Sequence, residues 1–390
     1  MPTNSIYDFL NDRRIQLPLD WSDWNGCYLS YIEDLFNHYK RLIAEFNRED
    51  ELLCEIDRSN GTISELCNGI IDTIQLYIYK GKEDAYEKFK NLLNQQNINT
   101  CLNELFSSEV DPNHDSLKNL YKVRKFPDDE DINAVLEKTT LEMFHVPQCI
   151  NRPLGRYDYG EFPCLYLGGS IPFCIKETID YTKSHFPPNI LWVKYKIIEQ
   201  RQIRVLDFAW KLGDLIGINE LRRKAVTFER KDKYTKFLKV RLIMWPLVAA
   251  CSTRVRAINY CCKPEYIIPH QLIRYIYENN NQIDGIRYFS TKYIKNSERK
   301  CKVESRCDYA RENINFVFPA KLKDHKEKYS SALAQKFEIS KSYQVNDRDI
   351  KQWKLLEDDC DGIQDYIHRE EDGFTPVRAL LEKWMKENSH

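Results

Sequence analysis

The sequence predicts an α+β protein in which a helical front region precedes a domain built around a β-sheet. In the first hundred residues, apolar side chains recur every three or four positions, which is the spacing of helices that bury one face. From about residue 118, short apolar or alternating runs typical of strands are interleaved with helical stretches. With 390 residues, of which 42% are hydrophobic, the chain can build more than one core.

The front region is expected to contain a small group of helices. The first spans 28–46, where apolar residues fall on one face. A second is expected to begin at Thr62, because Thr62 and Glu65 have the spacing of a capping box, and a third covers 83–93. Residues 1–20 lack such a pattern and are predicted to form a mobile or loosely docked leader.

The rest of the pattern divides the chain into three parts. Strands are predicted over 120–124, 163–167, 190–198, 203–208, 283–288, 313–318 and 337–345. Further helices are predicted over 170–185, 233–255, 269–279 and 377–386. The predicted domains are a helical domain over 1–115, a central domain with the sheet over 116–320, and a C-terminal extension over 321–390.

The charge balance argues against a nucleic-acid partner. The chain has 58 Lys and Arg against 59 Asp and Glu, a formal net charge of −1, whereas proteins that bind nucleic-acid phosphates usually carry a basic surplus. One run is locally basic and consists of Arg222, Arg223, Lys224, Arg230, Lys231, Lys233, Lys236, Lys239 and Arg241. It is interpreted either as a solvated helix face or as a surface that steers an anionic substrate.

Cysteine usage and the termini indicate a cytoplasmic protein without metal. The 13 Cys are an odd number and include no Cys-x-x-Cys pair, so neither a disulfide framework nor a zinc site is expected. The first residues lack the basic and apolar regions of a signal peptide. The longest apolar run, Leu242 to Cys251, is too short to span a bilayer, so no membrane partner is expected.

Six short motifs follow one another in the central part of the chain. They are Gly155-Arg156-Tyr157, Pro163-Cys164-Leu165-Tyr166-Leu167, Ile175-Lys176-Glu177, Glu265-Tyr266-Ile267-Ile268-Pro269-His270-Gln271-Leu272, Asp284-Gly285-Ile286-Arg287-Tyr288-Phe289-Ser290 and Asn315-Phe316-Val317-Phe318. Tyr166 lies ten positions after Arg156, and Glu177 lies eleven positions after Tyr166. In this order and spacing, 143–319 resembles the RES family, toxins of toxin–antitoxin pairs named for their Arg, Glu and Ser.

The resemblance implies a fold and a substrate. It implies an ADP-ribosyltransferase-like RES domain over 116–320 with a split, mixed β-sheet, and NAD+ as the substrate, with no metal. The helical front resembles the HEPN-like region of a longer subgroup. HEPN nucleases carry an Arg-x(4–6)-His motif, but His38 is the only His in the first hundred residues and no Arg precedes it at that distance. The front domain is therefore expected to be structural or regulatory.

Glu177 is the expected catalytic carboxylate. Cleavage between nicotinamide and the ribose C1′ passes through a transition state with oxocarbenium character, and nicotinamide leaves as a neutral molecule. A carboxylate held against the ribose stabilises the developing positive charge and orients the 2′-hydroxyl. Outside this motif, Glu177 would be read as an ordinary exposed helix residue.

Four further residues are expected around the same substrate. Arg156 offers a rigid fork of donors that fits a pyrophosphate. Arg156 and Tyr166 are expected to be catalytic together with Glu177. Tyr166 either stacks on nicotinamide or hydrogen-bonds the ribose, or it packs in the core with its hydroxyl bonded to the protein. Tyr157 is a weaker stacking candidate. Ser290, at the end of a strand, is expected to bind a phosphate.

Two other residues are candidates for NAD+ binding. Arg124 lies on the first predicted strand, where Lys122 competes for the same role. His145, shortly before Pro147, either contacts the substrate or is a structural residue whose ring is satisfied by the protein. The chain lacks a Gly-rich phosphate loop, so a Rossmann-type NAD site is not expected.

The acceptor of the ADP-ribose stays open at this point. Water or phosphate would make the chain an NAD+-degrading toxin-like enzyme, whereas a protein side chain would make it an ADP-ribosyltransferase. A third alternative is a non-catalytic binding or assembly protein on the same fold. The resemblance also implies a restraint on the activity, either an antitoxin or regulatory partner or a homo-oligomer.

Overall fold

The structure, a computed structural model, describes most of the chain. The described residues are 6–45, 51–106, 120–127, 131–138, 141–147, 155–160, 162–178, 189–198, 203–256, 263–279, 282–291, 314–323, 327–345 and 374–387. They fall into two compact units. The first comprises Met1–Pro112, Gly155–Tyr159 and Val205–Asn280, and the second comprises Asn113–Leu154, Gly160–Arg204 and Asn281–His390.

Helices and strands are numbered along the chain. They are α1 (Ile6–Leu10), α2 (Tyr28–Ala44), α3 (Glu51–Arg58), α4 (Asn60–Tyr79), α5 (Lys82–Leu93), α6 (Gln96–Glu104), β1 (Leu120–Lys125), α7 (Ile132–Lys138), β2 (Cys164–Gly168), α8 (Ile171–Thr178), β3 (Ile190–Ile197), β4 (Val205–Phe208), α9 (Leu212–Lys224), α10 (Phe228–Cys251), α11 (Ile267–Asn279), β5 (Gly285–Phe289), β6 (Ile314–Pro319), α12 (Ser331–Ala334), β7 (Phe337–Ile339), β8 (Tyr343–Gln344), β9 (Thr375–Pro376) and α13 (Val377–Glu387). Short 3-10 helices cover Arg13–Ile15 and Pro264–Tyr266.

The first unit is organised around α10. Thr227 caps this helix, because its Oγ accepts a hydrogen bond from the Arg230 backbone N–H at 3.4 Å. From Val240 to Cys251 every residue is buried. A stretch of helix that is buried on every side needs neighbours all round, and α3, α4, α6, α9 and α11 all pack against α10.

The N-terminal segment also belongs to this core. Ile15, Leu17 and Leu19 are buried. The Trp245 indole N–H donates to the Ile15 carbonyl at 3.1 Å, and Leu19 forms a parallel bridge with Thr253. The prediction of a loosely docked leader is therefore wrong over 6–20, because the partners of this segment lie more than two hundred residues away.

The predicted front helices are present with small shifts. The first is α2 and the third is α5, each within two residues of its expected bounds. The second, α4, begins at Asn60, and its N-cap position is Ser59, so the capping box expected at Thr62 does not start the helix. The units also group 205–280 with the front helices, which differs from the three predicted domains, because α10 buries its apolar sides against α4 and α6.

The second unit is built on a β-sheet. Its strands follow the order β5-β6-β2-β1-β3-β7-β9, with β8 also paired to β3. Neighbours along this order pair antiparallel. The strand predicted over 337–345 is two short strands, β7 and β8, which both pair with β3. With helices before and around this sheet, the α+β class and the helical N-terminal region are confirmed.

None of the helices in the described part of the chain is both long enough and apolar enough to cross a membrane.

Candidate functional site

Helix α8 carries the expected catalytic carboxylate. Ser170 caps the helix, since its Oγ accepts from the Phe173 N–H at 3.3 Å. Ile171 and Ile175 are buried in a cluster with Tyr121 of β1. This packing fixes the helix on one face of the sheet and leaves Glu177 half-buried in its last turn. The predicted continuation to 185 lies outside the described residues.

A hydrogen bond joins Glu177 to Ser290. The Ser290 Oγ donates to Glu177 Oε1. Ser290 directly follows β5 and is only 7% exposed, so its hydroxyl is held in place by the buried end of a strand. Hydrogen bonds to an ionised carboxylate are short and strong, and this one fixes the orientation of the Glu177 carboxylate. The structure thus brings together two of the residues that the sequence analysis singled out.

Tyr166 lies on the same face of the sheet as α8. In antiparallel strands, directly opposite residues point to one face, and every second residue of a strand does so too. Tyr121 is opposite Gly168, and Tyr166 is two residues from Gly168 on β2. Because Tyr121 contacts α8, the half-buried Tyr166 shares the face that carries Glu177.

Two polar residues on this face were not singled out by the sequence analysis. Asn315 of β6 is opposite both Gly168 and Tyr288 of β5, so both side chains point to the face of α8. Asn315 is half-buried and Tyr288 is 6% exposed. The sequence signal for Asn315 is the period-two alternation of a strand. Asn315 and Val317 fall on one face and Phe316 and Phe318 on the other, so the polar position is evident once the strand is assigned.

Gly168 sets the distance between α8 and β2. A Cβ at this position would lie 2.5 Å from Cys174 Sγ and 3.2 Å from Phe173 Cδ1, both on the helix. Burial raises the pKa of the Cys174 thiol to about 12, so this thiol is neutral near pH 7 and is not a nucleophile for the site. The close approach of helix and strand therefore serves to position α8.

Replacing Gly168 with Ala is expected to destabilise the second unit by about 1–3 kcal/mol, because the added methyl group must push α8 away from β2. Urea denaturation followed by circular dichroism measures the change. Gly217→Ala is the matched control, since nothing lies within 4 Å of a Cβ there and the residue is inside α9. Equal stabilities of the two variants would show that the packing of α8 against β2 does not require a glycine at position 168.

Arg156 and Tyr157 belong to the first unit. Arg156 is 6% exposed and donates to the carbonyls of Cys251 at 3.0 Å and Thr253 at 2.8 Å. Its guanidinium also lies 5.0 Å from the centroid of the Tyr266 ring. The fork of donors thus binds the C-terminal end of α10, where helix carbonyls lack intrahelical partners. Tyr157 is fully buried.

Arg124 and His145 have backbone partners in the second unit. Arg124 donates to the Glu142 carbonyl at 2.5 Å, and it lies on the face of β1 opposite to that of Tyr121. The fully buried His145 accepts from the Ser330 N–H through Nε2 at 2.7 Å, and its Nδ1 lies 3.1 Å from the Val146 carbonyl. An accepting Nε2 places the hydrogen of the neutral ring on Nδ1, which can then donate to the Val146 carbonyl. Both ring nitrogens are therefore engaged by backbone groups.

The described residues contain no group of three or more His, Cys, Asp and Glu arranged to hold a metal ion.

Comparison with known proteins finds a curated relative. A protein of Bacillus subtilis (strain 168) named "Putative toxin YopC" is 26% identical over 357 residues, which cover 85% of this chain and 74% of that protein. No family model matches the chain. No solved structure matches it.

Proposed function

We propose that this chain is a toxin-like enzyme that consumes NAD+ by cleaving the bond between nicotinamide and ribose, with water or phosphate as the acceptor. The observation that carries the proposal is the Glu177 carboxylate, oriented by Ser290 on the sheet face that also holds Tyr166. The motif resemblance to RES toxins, whose fold is ADP-ribosyltransferase-like, and the name of the Bacillus relative support the same direction.

Glu177 supplies the main stabilisation of the transition state in this mechanism. As nicotinamide departs with the bonding electron pair, positive charge develops over the ribose C1′ and its ring oxygen. The carboxylate lies against this charge and accepts a hydrogen bond from the ribose 2′-hydroxyl. One well-placed electrostatic group of this kind contributes about 2.7–4 kcal/mol. Water or phosphate then bonds to C1′; attacking water loses a proton to solvent.

Ser290 acts as a positioning residue in the proposed site, and its expected role as a phosphate ligand stays a prediction. Its hydroxyl already donates to Glu177, so its effect on the reaction passes through the carboxylate. Tyr166 stacks on nicotinamide or forms a hydrogen bond with the ribose. Pyrophosphate binding by Arg156 stays a prediction, although its Nη1 and Nη2 already donate to the carbonyls of Cys251 and Thr253. NAD+ contacts of Tyr157, Arg124 and His145 stay predictions too.

Ser290→Ala is expected to lower kcat by about 10–100-fold with little change in KM, because a carboxylate without its donor samples unproductive orientations. Steady-state rates of nicotinamide release measure both parameters. Ser290→Thr keeps a hydroxyl and should restore most of the rate. A Ser290→Ala variant with unchanged kcat would contradict the positioning role. If its KM rose instead, the hydroxyl would be assigned to substrate binding.

The proposal is tested by mixing the purified chain with NAD+, with and without phosphate, and separating the products by chromatography and mass spectrometry. Free nicotinamide with ADP-ribose supports hydrolysis, and nicotinamide with phosphorylated ADP-ribose supports phosphorolysis. ADP-ribose attached to protein supports the transferase alternative. Intact NAD+ at high enzyme concentration, with the fold verified by circular dichroism, contradicts the proposal and favours a binding protein.

The resemblance also implies a restraint on such an activity. An antitoxin, another regulatory protein or a homo-oligomer that covers Glu177 would each serve. Size-exclusion chromatography of the active chain tests self-association, because an active monomer would exclude the homo-oligomer as the restraint. The cytoplasmic location likewise stays a prediction.

A further inference from the structure

Asn315 on β6 is a polar side chain that contributes no side-chain bond to the fold. Within the part of the chain that the structure describes, its amide takes part in no hydrogen bond. Its opposite neighbour on β2 is Gly168, which has no side chain to offer a partner. Asn is disfavoured in strands, and half-buried amides normally have their donors and acceptors engaged. A ligand therefore explains this position better than stability does.

The neighbours of Asn315 place it in the middle of the candidate site. The register of β6 makes Tyr166 its diagonal neighbour on β2 and Ser290 its diagonal neighbour just after β5. Diagonal neighbours lie about 7–8 Å apart, within reach of long side chains. Because Ser290 donates to Glu177, the Asn315 amide lies between the ring expected against nicotinamide and the carboxylate expected at the ribose.

We propose that Asn315 binds the carboxamide of nicotinamide and makes the site selective for dinucleotides that carry an amide there. The inference rests on the proposed cleavage of NAD+ and assigns the leaving-group end of that site. A carboxamide has a carbonyl acceptor and N–H donors, as the Asn side chain has, so the two groups pair through two hydrogen bonds.

The acid analogue, nicotinic acid adenine dinucleotide, lacks the matching donor. Its ionised carboxylate only accepts hydrogen bonds, so the Asn315 carbonyl faces a group that gives it nothing. A site built to bond a donor rejects an analogue without that donor, because the polar group of the site is left unpaired. Asn315 thus acts as a specificity residue that touches the substrate.

Other parts of the dinucleotide match a neutral amide less well. The ribose 2′-hydroxyl is bound by Glu177 in the proposed mechanism, and a single hydroxyl does not offer the planar donor–acceptor pair that a carboxamide does. A pyrophosphate is better bound by the charged donors of Arg or Lys. The carboxamide is the group of NAD+ that uses both ends of the Asn315 side chain.

Steady-state cleavage of NAD+ and of the acid analogue by the full chain tests the proposal. The parent is expected to show a kcat/KM for NAD+ at least about tenfold above that for the acid analogue. Asn315→Leu has a similar size but no polar group. It should lower kcat/KM for NAD+ by about 10–100-fold and leave the value for the acid analogue nearly unchanged, so that most of the preference disappears.

Asn315→Asp moves the preference in the other direction. It keeps the shape of the side chain and an acceptor for the carboxamide N–H, but its negative charge repels the carboxylate of the acid analogue. The ratio of the two kcat/KM values should therefore be at least as high as in the parent. This variant also keeps the proposal testable if Asn315→Leu fails to fold, which circular dichroism detects.

Glu338→Leu is the matched control. Glu338 is also a half-buried polar residue of the same sheet, but it lies on β7, with β2, β1 and β3 between that strand and β6. The same kind of change there should leave the ratio of the two kcat/KM values within about twofold of the parent, because distant sites act independently.

The outcomes separate this inference from the proposed function. Equal losses with both dinucleotides in Asn315→Leu would assign Asn315 to a group that the two share, such as the ribose, and would overturn the carboxamide pairing. Unchanged rates with NAD+ would overturn it as well. In both cases the parent still cleaves NAD+, so the proposed function stands. A parent chain that cleaves neither dinucleotide overturns both.

Discussion

Replacing Glu177 with Gln is expected to reduce the rate of NAD+ cleavage by about 10²–10³-fold, the loss typical of removing one preorganised electrostatic group from an active site. The amide has nearly the same shape and can still accept from the Ser290 hydroxyl, so the packing of α8 is retained. What disappears is the negative charge that faces the oxocarbenium-like ribose. Nicotinamide release measured by chromatography gives the rate of each protein.

Glu382→Gln is the matched control for this change. Glu382 is an exposed carboxylate on α13 of the same unit and pairs with Arg378 at 2.7 Å. Its loss removes the same charge from the chain without touching α8, and the rate should stay within about twofold of the parent because exposed pairs are weak. A Glu177→Gln enzyme that works at the parent rate would remove Glu177 from the mechanism.

Replacing Arg156 with Met is expected to destabilise the first unit by about 2–5 kcal/mol. Methionine keeps much of the length of the side chain but leaves the Cys251 and Thr253 carbonyls without their buried donors, each at a cost of about 1–3 kcal/mol. The positive charge at the C-terminal end of α10 is lost as well. Urea denaturation, followed by circular dichroism of the helices, measures the free energy of unfolding.

Arg254→Met is the control for Arg156→Met. Arg254 is three residues past the end of α10 and pairs with Asp20 at 3.0 Å, but this pair is partly exposed and its loss should cost less than about 1 kcal/mol. Similar stabilities of the two variants, combined with weaker NAD+ binding for Arg156→Met alone, would support the prediction that Arg156 binds the pyrophosphate of NAD+. Calorimetric titration with NAD+ supplies the second measurement.

The local pattern predicts most strands well. The bounds of β1, β3 and β6 fall within one residue of their expected positions, because apolar runs report burial directly. The pattern cannot tell which unit a segment joins. Helix α10 is visible in the sequence, yet its neighbours α3, α4 and α6 lie more than a hundred residues earlier, and no local signal marks that pairing.

The candidate site shows the same division between local and distant information. Motif order singles out Glu177 and Ser290, and the structure joins them over 113 residues. The motif also singles out Arg156, but whether a guanidinium faces a substrate or a protein carbonyl depends on partners 95 and 97 residues further along. A residue type therefore indicates the bonds that a side chain can make, whereas the fold selects among them.

The discontinuous make-up of the first unit has a consequence for synthesis on the ribosome. Roughly 90 residues lie between Pro112 and Val205, and at about 5–20 residues per second the front helices wait some 5–20 s before synthesis of Val205–Asn280 begins. During that interval the faces of α4 and α6 that α10 covers have no native partner, and transiently exposed apolar surface of this kind makes a nascent chain prone to aggregation. A fragment cut near residue 115 would carry the same exposed faces permanently.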